Sequence, residues 1–249
     1  MNFPLIAHRG EPEGWPENSL AGYQAALEAG AGFIETDIQI TADGIAVLNH
    51  DSSALKVTGV DLQITATNYA ALQSLPAGYP QRFAERYRDL RITRLDQLVT
   101  LLQQWPQVQA FIEIKQASIT AHGNSTVVDT LMSLLEPVLP QIVFISFNHE
   151  ILGYIRSRHE VPTGWVLHEW SAASQAMATS LAPDYLFCSK RHLPEHSAPL
   201  WPGPWRWAVY VVNNPDEVPA LLDRGIDLVE TDVIGKLMAD QALRELFIG

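Results

Sequence analysis

The feature that most constrains the fold of this chain is the repeated alternation of short apolar runs with segments of helical periodicity. Short apolar runs between turn residues are typical of buried strands, and repeated strand–helix units predict a parallel sheet covered on both faces. If IAVLNH pairs with the strand before it, eight main strands remain: PLIAH, FIETDIQI, AFIEIK, IVFISF, TGWVL, DYLFC, WAVYVV and DLVETD. Eight such units in 249 residues predict an α/β fold, a closed (β/α)8 TIM barrel.

The intervening segments carry helix signals at both ends. Ser19 precedes the first of them as a possible N-cap, and Gly30 and Gly225 follow two of them at the position where a left-handed residue ends a helix. The predicted helices are SLAGYQAALEAG, LDQLVTLLQQW, STVVDTLMSLLEPV, HEILGYIRSRH and PDEVPALLDRG.

Residues 51–94 interrupt the alternation. This segment is rich in turn residues and mixed charge, and it follows the predicted second strand and its hairpin. We expect a small insertion after the second strand, lying over the barrel mouth, within a single domain that covers residues 1–249.

Composition narrows the possible partners. A formal net charge of -12 disfavours nucleic acid and anionic membranes, so any bound anion needs a local positive site. No apolar run approaches the roughly 20 residues of a membrane span, and the N-terminus lacks the features of a signal peptide. Cys188 is the only cysteine, which excludes an intramolecular disulfide and a cysteine-based metal cluster. We expect a cytoplasmic protein without stable membrane association; its oligomeric state is left open.

Two predicted strands place charged side chains on one face. Residues two apart in a strand point the same way, so Glu35 and Asp37 share a face, as do Glu113 and Lys115. One interpretation is a set of structural ion pairs. The other is a site for Mg²⁺ or Ca²⁺, because three inward carboxylates are hard oxygen ligands.

Histidines stand at the ends of the first strand and of the hairpin. His8 and Arg9 lie in AHRG, and His50 lies in LNHD. If the first two strands are barrel neighbours, these side chains meet the carboxylates at the end where barrel enzymes hold their sites. A dication, two imidazoles, an arginine and a lysine suit attack on a phosphate ester: the cations hold the anion and the histidines move protons.

The same motifs carry a family resemblance. The stretches AHRG, PENSLAGYQAALEAGAGFIETDIQITADG, LNHD, FIEIK, ISFN, YVVNNP and GIDLVETD resemble, in order and approximate spacing, those of the glycerophosphodiester phosphodiesterase family. The resemblance implies a metal-dependent barrel enzyme that hydrolyses glycerophosphodiesters to sn-glycerol 3-phosphate and an alcohol such as choline, ethanolamine or glycerol.

Roles follow from the resemblance position by position. It implies that His8 and His50 are the general acid and base and that Arg9 and Lys115 bind the phosphate. It also offers Tyr210 as a lining residue of the glycerol pocket, with a strand aromatic that fills the barrel as the alternative. One divalent cation, Mg²⁺ or Ca²⁺, is implied at Glu35, Asp37 and Glu113. The family scheme also implies that the glycerol hydroxyl attacks phosphorus and that water then opens a cyclic phosphate. Glu17 and Asn18 are implied to support these groups, with a helix-capping turn as the alternative.

Two positions depart from the family pattern. The loop after His50 reads SSALKVTG, where Lys56 is the nearest substitute for an arginine, and Glu230 stands where an apolar residue is usual. We expect Glu230 to pair with Arg9 or Lys115, and Asp232 to fix the closing loop. Two other functions are left open: a phosphodiesterase acting on lysophospholipids, and a catalytically silent protein that binds a phosphometabolite.

Overall fold

The computed structural model describes residues 3–195 and 198–248, and its centre is a closed barrel. The strands are β1 (Leu5–His8), β2 (Phe33–Ile40), β3 (Ala46–Leu48), β4 (Gln109–Ile114), β5 (Ile142–Ser146), β6 (Thr163–Val166), β7 (Tyr185–Ser189), β8 (Arg206–Tyr210) and β9 (Leu228–Thr231). All of them except β3 pair in parallel, in the order β1-β9-β8-β7-β6-β5-β4-β2. A further parallel pairing of β1 with β2 closes the ring. The predicted (β/α)8 barrel is confirmed.

The hairpin after the second strand is also confirmed. β3 pairs antiparallel with β2, with Ile38 opposite Leu48. The hairpin places the chain after β3 at the barrel mouth, so that Asn49 donates its backbone N–H to the Asp37 carbonyl at 3.0 Å. His50 therefore follows β3 at the end of the barrel where β2 also ends.

Helices lie around the outside of the barrel and within the insertion. They are α1 (Leu20–Glu28), α2 (Leu55–Thr58), α3 (Tyr69–Gln73), α4 (Pro80–Phe83), α5 (Leu95–Leu102), α6 (Gln116–Leu135), α7 (His149–Arg156), α8 (Ala172–Leu181), α9 (Val218–Asp223), α10 (Ile234–Ala239) and α11 (Gln241–Ile248). Short 3₁₀ turns occupy Ile64–Ala66, Glu136–Gln141, Lys190–His192 and Pro215–Glu217. None of the helices in the described ranges is both long enough and apolar enough to span a membrane.

The predicted helix ends agree with the structure where the local signals are strong. The Ser19 side chain accepts a hydrogen bond from Gly22 N, and Gly30 and Gly225 have φ angles of 99° and 95°. α6 begins nine residues before the predicted segment, which started at Ser125, and Gly123 interrupts it with φ 77° and ψ 157°. Gly123 lets two helical segments of α6 join at a bend, and the apolar periodicity of the sequence does not predict such a bend.

The core has two layers, as period-two alternation requires. Side chains pointing outward from the strands, such as Ile34, Ile112 and Ile114, pack against the helices. Those pointing inward fill the barrel; they include Ile6, Phe111, Val143, Phe187 and Leu228. The inward apolar layer lies below the carboxyl ends of the strands. Two residues further along β1, β2, β4 and β9, the next inward side chains form the upper surface of this layer.

The insertion contains α2, α3, α4 and a 3₁₀ turn. It has a small apolar cluster of its own: Val47, Ala54, Val57, Ile64, Tyr69, Leu72, Ala77 and Ile92. Its contacts reach the loop after β1, because Lys56 Nζ lies 2.6 Å from Glu17 Oε2 and the Tyr87 hydroxyl donates to the Gly14 carbonyl.

Candidate active site

A cavity of about 230 Å³ opens at the carboxyl ends of the barrel strands. One part of its wall is ionisable and consists of His8, Arg9, Glu35, His50, Glu113 and Glu230. The other part is apolar or aromatic and includes Ile145, Phe147, Val166, Phe187 and Tyr210. Enzymes with this fold hold their sites at this end of the barrel, because the strand ends bring side chains from several elements to one place.

Glu35 is a buried carboxylate with one open oxygen. It is 2% exposed and pairs in register with His8 on β1. Its Oε2 accepts from the backbone N–H of Arg9 at 3.3 Å, whereas Oε1 has no hydrogen-bond partner. Burial, together with the charges of Asp37 and Glu230, raises the pKa of Glu35 well above its usual value. An ionised buried carboxylate without a partner is costly, so Oε1 is suited to a cation.

Asp37 differs because both of its oxygens contact cationic or amide groups. Lys115 Nζ lies 2.6 Å from Oδ1, and Arg9 Nε lies 3.0 Å from Oδ2. Asn18 Nδ2 also donates to Oδ2 at 2.9 Å. Burial opposes ionisation, but Lys115 and Arg9 outweigh it and lower the pKa of Asp37. Asp37 is therefore a charged side chain at the centre of the site, held by two cations and one amide.

Lys115 joins the two strands that carry the carboxylates. Its Nζ lies 2.7 Å from Glu113 Oε1 in addition to its contact with Asp37. Burial alone would lower the pKa of Lys115, but Asp37 and Glu113 raise it, so the ammonium keeps its charge. Burial raises the pKa of Glu113 despite Lys115. The ion pair uses one Glu113 oxygen and leaves the other available.

His8 is held by a carboxylate. Its Nδ1 lies 2.7 Å from Asp232 Oδ1, and hydrogen bonds from His8 and Asn213 lower the pKa of Asp232 although burial opposes this. An ionised carboxylate only accepts, so Nδ1 carries a proton in this bond, and the group that can exchange a proton with a ligand is Nε2. Asn213 Nδ2 donates to Asp232 Oδ2 at 3.1 Å, which fixes the carboxylate in turn.

His50, like His8, has an aspartate as the partner of its Nδ1. Its Nδ1 lies 2.7 Å from Asp51 Oδ1, which orients the ring toward the cavity that it lines. Burial is the largest effect on His50 and lowers its pKa, although Asp37 and Asp51 act in the opposite direction. At neutral pH a larger fraction of His50 than of a free histidine is therefore unprotonated, which is the state that a general base needs.

Arg9 is positioned by its backbone and by two carboxylates. It has φ 56°, in the left-handed region, and its Nη1 lies 3.5 Å from Glu17 Oε1. Glu17 also binds Lys56 of the insertion, so the loop that departs from the family pattern does contribute a cation near the mouth. Burial opposes the charge of Arg9, but Asp37, Glu35 and Glu17 raise its pKa, and the guanidinium stays charged.

The Asn18 side chain binds Asp37 and is itself held by two hydroxyl groups. Its Oδ1 accepts from the Tyr23 hydroxyl at 2.8 Å and from Thr36 Oγ1 at 3.1 Å while its Nδ2 donates to Asp37. Tyr23 also donates to the Glu35 carbonyl at 3.1 Å. Both contacts that were expected of the PENS motif are present: Ser19 caps α1, and Asn18 donates a hydrogen bond to Asp37.

Two groups of donor atoms are close enough to share a cation. Glu35, Asp37 and Glu113 form the first group, and His8, Glu35 and Glu230 form the second; within each group the donor atoms lie within 4.8 Å of one another. The first group contains only carboxylate oxygens, the donors that Mg²⁺ and Ca²⁺ prefer. The open Oε1 of Glu35 and the free oxygen of Glu113 fit such an ion.

Comparison with known proteins identifies the family. The model of the glycerophosphoryl diester phosphodiesterase family matches residues 8–236, from the first histidine to α10. The chain belongs to the glycerophosphoryl diester phosphodiesterase family. Membership confirms the predicted family and makes the chain an enzyme of the phosphodiesterase class.

Relatives that match this glycerophosphoryl diester phosphodiesterase family member over more than nine tenths of its length include two bacterial proteins. A glycerophosphodiester phosphodiesterase of Caldanaerobacter subterraneus is 25% identical, covering 93% of this chain and 95% of that protein. One from Bacillus subtilis is also 25% identical and covers 91% and 82%. The structure of a phosphodiesterase from Oleispira antarctica, in complex with the product sn-glycerol-3-phosphate, superposes with a TM-score of 0.82 at 22% identity, covering 97% and 96%. That last similarity supports the fold.

The structure of this family member brings all the predicted site residues together. His8, Arg9, Glu35, His50, Glu113 and Tyr210 line the cavity. Asp37 lies directly behind them at 0% exposure, and Lys115 lies beside it. Their geometry is compatible with the expected roles, which stay predictions until they are tested in solution.

Two expectations about β9 change. The pairing of Glu230 with Arg9 or Lys115 is wrong: among the described residues its contact of ion-pair length is with His8, whose Nε2 lies 3.9 Å from Oε1. Asp232 does bind the loop after β8, through Asn213, but it also holds His8. Sequence reasoning missed Asp232, Asn213 and Asp51 as partners of the histidines. The signal for Asp51 was its position next to His50.

Proposed function

We propose that this chain hydrolyses glycerophosphodiesters, such as glycerophosphocholine and glycerophosphoethanolamine, to sn-glycerol 3-phosphate and an alcohol. The family match and the names of its relatives support this reaction. The observation that carries the proposal is the pair of histidines at one cavity, each with Nδ1 2.7 Å from an aspartate. A protein that only binds phosphate needs cations but has no use for two oriented proton carriers.

We propose one divalent cation, Mg²⁺ or Ca²⁺, held by Glu35, Asp37 and Glu113. When bound, it would supply positive charge to the phosphate oxygens. Arg9 and Lys115 keep their charges at the same place and would bind the remaining oxygens, which stabilises negative charge as it develops.

His8 and His50 would carry the protons. In the first step the glycerol hydroxyl attacks phosphorus, one histidine takes its proton, and the other gives a proton to the departing alcohol. In the second step water opens the cyclic phosphate and the two histidines exchange roles, which returns both to their starting states. Intramolecular attack gains from proximity, because the nucleophile is already attached to the phosphate.

The shape of the site supports a substrate with groups on both sides of a phosphate. The cavity adjoins a second depression of about 290 Å³ that shares His50, Glu113 and Phe147 with it. The cavity side has the Tyr210 ring, and burial raises the pKa of its hydroxyl, which keeps it a donor for a glycerol oxygen. The second side offers neutral polar groups, among them Ser52, Gln116 and Asn148.

A small-molecule substrate, without nucleic acid or stable membrane partners, is part of the proposal. The net charge of -12 supports it, since a polyanion or an anionic surface would be repelled. The exposed large apolar side chains of the insertion, Leu55 and Val60, are too few to form a lipid-binding rim. A cytoplasmic location stays a prediction that the single, buried Cys188 supports.

The test is release of sn-glycerol 3-phosphate from a panel of glycerophosphodiesters, with and without EDTA and with Mg²⁺ or Ca²⁺ restored. Turnover that needs the added cation is expected. Inactivity toward every glycerophosphodiester, with hydrolysis of lysophosphatidylcholine instead, would favour the lysophospholipid alternative. Tight binding of glycerol 3-phosphate without turnover of either class would favour a silent binding protein.

His50→Ala tests the proton-transfer role. We expect turnover to fall by roughly 10²-fold or more, the scale of a lost general acid or base. His159→Ala is a suitable control, because His159 lies at the amino-terminal side of β6, away from the cavity. A near-normal rate in His50→Ala would remove His50 from the mechanism.

A further inference from the structure

The second donor group combines side chains from three adjacent strands. β1 lies between β2 and β9, and His8 pairs with Glu35 on one side while Ile6 pairs with Glu230 on the other. The donors at His8, Glu35 and Glu230 lie within 4.8 Å of one another. Glu35 and Glu230 are 2% and 4% exposed. Three donors therefore converge on one point at the upper surface of the barrel interior.

Neither glutamate of this group contacts Lys115, which binds Asp37 and Glu113 of the first group. Glu35 Oε1, in the residue that both groups share, is buried without a hydrogen-bond partner. The 3.9 Å between Glu230 Oε1 and His8 Nε2 is too long for a hydrogen bond. It fits two ligands of one ion, because donors about 2.0–2.2 Å from a metal can be up to about 4 Å apart.

His8 is oriented as a metal-binding histidine is. Its Nδ1 donates to Asp232, which itself accepts from Asn213, so the lone pair of Nε2 points away from Asp232. A carboxylate on the far nitrogen is the usual support of a histidine ligand, since it fixes the ring and makes Nε2 a better donor.

We propose that His8, Glu35 and Glu230 form a second cation site, selective for a transition-metal ion such as Zn²⁺, Co²⁺ or Mn²⁺. One imidazole nitrogen with two carboxylates suits these ions better than Mg²⁺ or Ca²⁺, which prefer oxygen ligands alone. Glu35 would be shared between the two cation positions. His8 and Glu230 belong to this group alone, so they distinguish it from the all-carboxylate group.

Occupation of the site has a consequence that rests on the proposed function. A metal on Nε2 of His8 takes the lone pair that proton transfer needs, so a transition-metal ion bound here inhibits turnover that Mg²⁺ or Ca²⁺ supports. Inhibition of turnover by Zn²⁺ would therefore depend on Glu230.

Metal binding itself gives the primary test. The full chain is titrated with Co²⁺ in saturating Mg²⁺, and the visible absorption of Co²⁺ reports its ligands. We expect one Co²⁺ per chain in the wild type and an affinity at least about tenfold lower in Glu230→Gln. Glu160→Gln is the charge-matched control, since Glu160 is exposed and far from the cavity, and it should bind as the wild type does.

Two further variants make the result specific. His8→Gln should change the Co²⁺ spectrum by removing the nitrogen ligand, and Asp232→Asn should weaken binding by roughly 10–100-fold without removing a ligand. Equal Co²⁺ affinity in the wild type and Glu230→Gln overturns the proposal, as does a wild type that binds no Co²⁺ in the presence of Mg²⁺.

The kinetic test separates this site from the proposed function. In excess Mg²⁺, Zn²⁺ should inhibit the wild type, and at least about tenfold more Zn²⁺ should be needed for Glu230→Gln. Zn²⁺ inhibition that is equal in the two proteins contradicts the consequence for turnover. A wild type that binds Co²⁺ through His8 and Glu230 but hydrolyses no glycerophosphodiester would support the site and refute the proposed function.

Discussion

Two strands on either side of β1 carry the same tripeptide, Glu-Thr-Asp, and the structure gives the two copies different surroundings. In β2 the glutamate pairs with His8, whereas in β9 it pairs with Ile6, two residues earlier along β1. The two copies are therefore staggered by two residues. Because side chains repeat their direction every two residues, both glutamates still point into the barrel, but they start from different positions along β1.

Strand length adds to the difference. β2 continues to Ile40, so Asp37 lies inside the strand opposite Glu113, where Lys115 and Arg9 bind it. β9 ends at Thr231, so Asp232 lies just beyond the strand, with 37% of its side chain exposed, beside His8. Identical residues thus acquire different contacts because the register and length of the strands differ. The sequence similarity alone does not make the two carboxylate pairs equivalent.

The strongest test of this asymmetry is Glu35→Gln. Glu35 belongs to both donor groups and holds the open oxygen, so we expect cation-dependent turnover to fall by roughly 10²–10³-fold or more. Steady-state hydrolysis in saturating Mg²⁺ or Ca²⁺ measures this. If Glu35→Gln loses no more turnover than Glu230→Gln does, the cation-binding role has been assigned to the wrong strand.

Asp232→Asn is expected to have the next largest effect. The asparagine keeps the shape but can hold His8 in the wrong tautomer, so we expect kcat to fall by roughly 10–100-fold. The pH dependence of kcat should change as well, whereas unfolding by urea should be altered little, because Asp232 is partly exposed. An unchanged pH profile would mean that Asp232 holds the loop and not the histidine.

Glu230→Gln should have the smallest effect on turnover. Glu230 is absent from the all-carboxylate group, so with Mg²⁺ or Ca²⁺ we expect the rate to stay within about tenfold of the wild type. The assay is run with purified metal salts and compared with Glu160→Gln. Complete loss of turnover would place Glu230 among the groups that the reaction requires.

Glu230 should nevertheless affect stability as the pH changes. Burial, the largest effect, raises the pKa of Glu230 from 4.5 to about 7. A carboxyl that binds its proton more tightly when folded stabilises the protein at low pH, and this contribution is lost as the pH rises from 4.5 through about 7. In EDTA, the unfolding free energy of the wild type should fall by about 1–3 kcal/mol relative to Glu230→Gln between about pH 5 and pH 8. Parallel stability curves would contradict this shift.

Much of the architecture could be predicted from the sequence, for reasons that are local. Eight apolar runs, Ser19 as a cap and glycines at positions 30 and 225 all follow from short-range rules. The same period of two placed Glu35, Asp37, Glu113 and Lys115 on the inner face. α8 was not predicted: of its ten residues only Ala178 is buried, so the segment has no apolar stripe to mark it.

The remaining features of the site depend on contacts between distant parts of the chain. The bond between His8 and Asp232 joins residues 224 positions apart and depends on the register of β1 against β9. Asn18 reaches Asp37 only because its backbone adopts φ 57°. Neither the register nor that backbone conformation can be read from the residues alone, which is why the partner of Glu230 was predicted wrongly.

Our central expectation is that hydrolysis depends on the carboxylate of Glu35 in β2 and not on that of Glu230 in β9. Its most direct test is the release of sn-glycerol 3-phosphate from one glycerophosphodiester, measured across a Mg²⁺ or Ca²⁺ titration for the wild type, Glu35→Gln and Glu230→Gln together. We expect cation-dependent release by the wild type and by Glu230→Gln, and almost none by Glu35→Gln at any cation concentration. Equal losses in the two variants, or release that is indifferent to the cation, would contradict the claim.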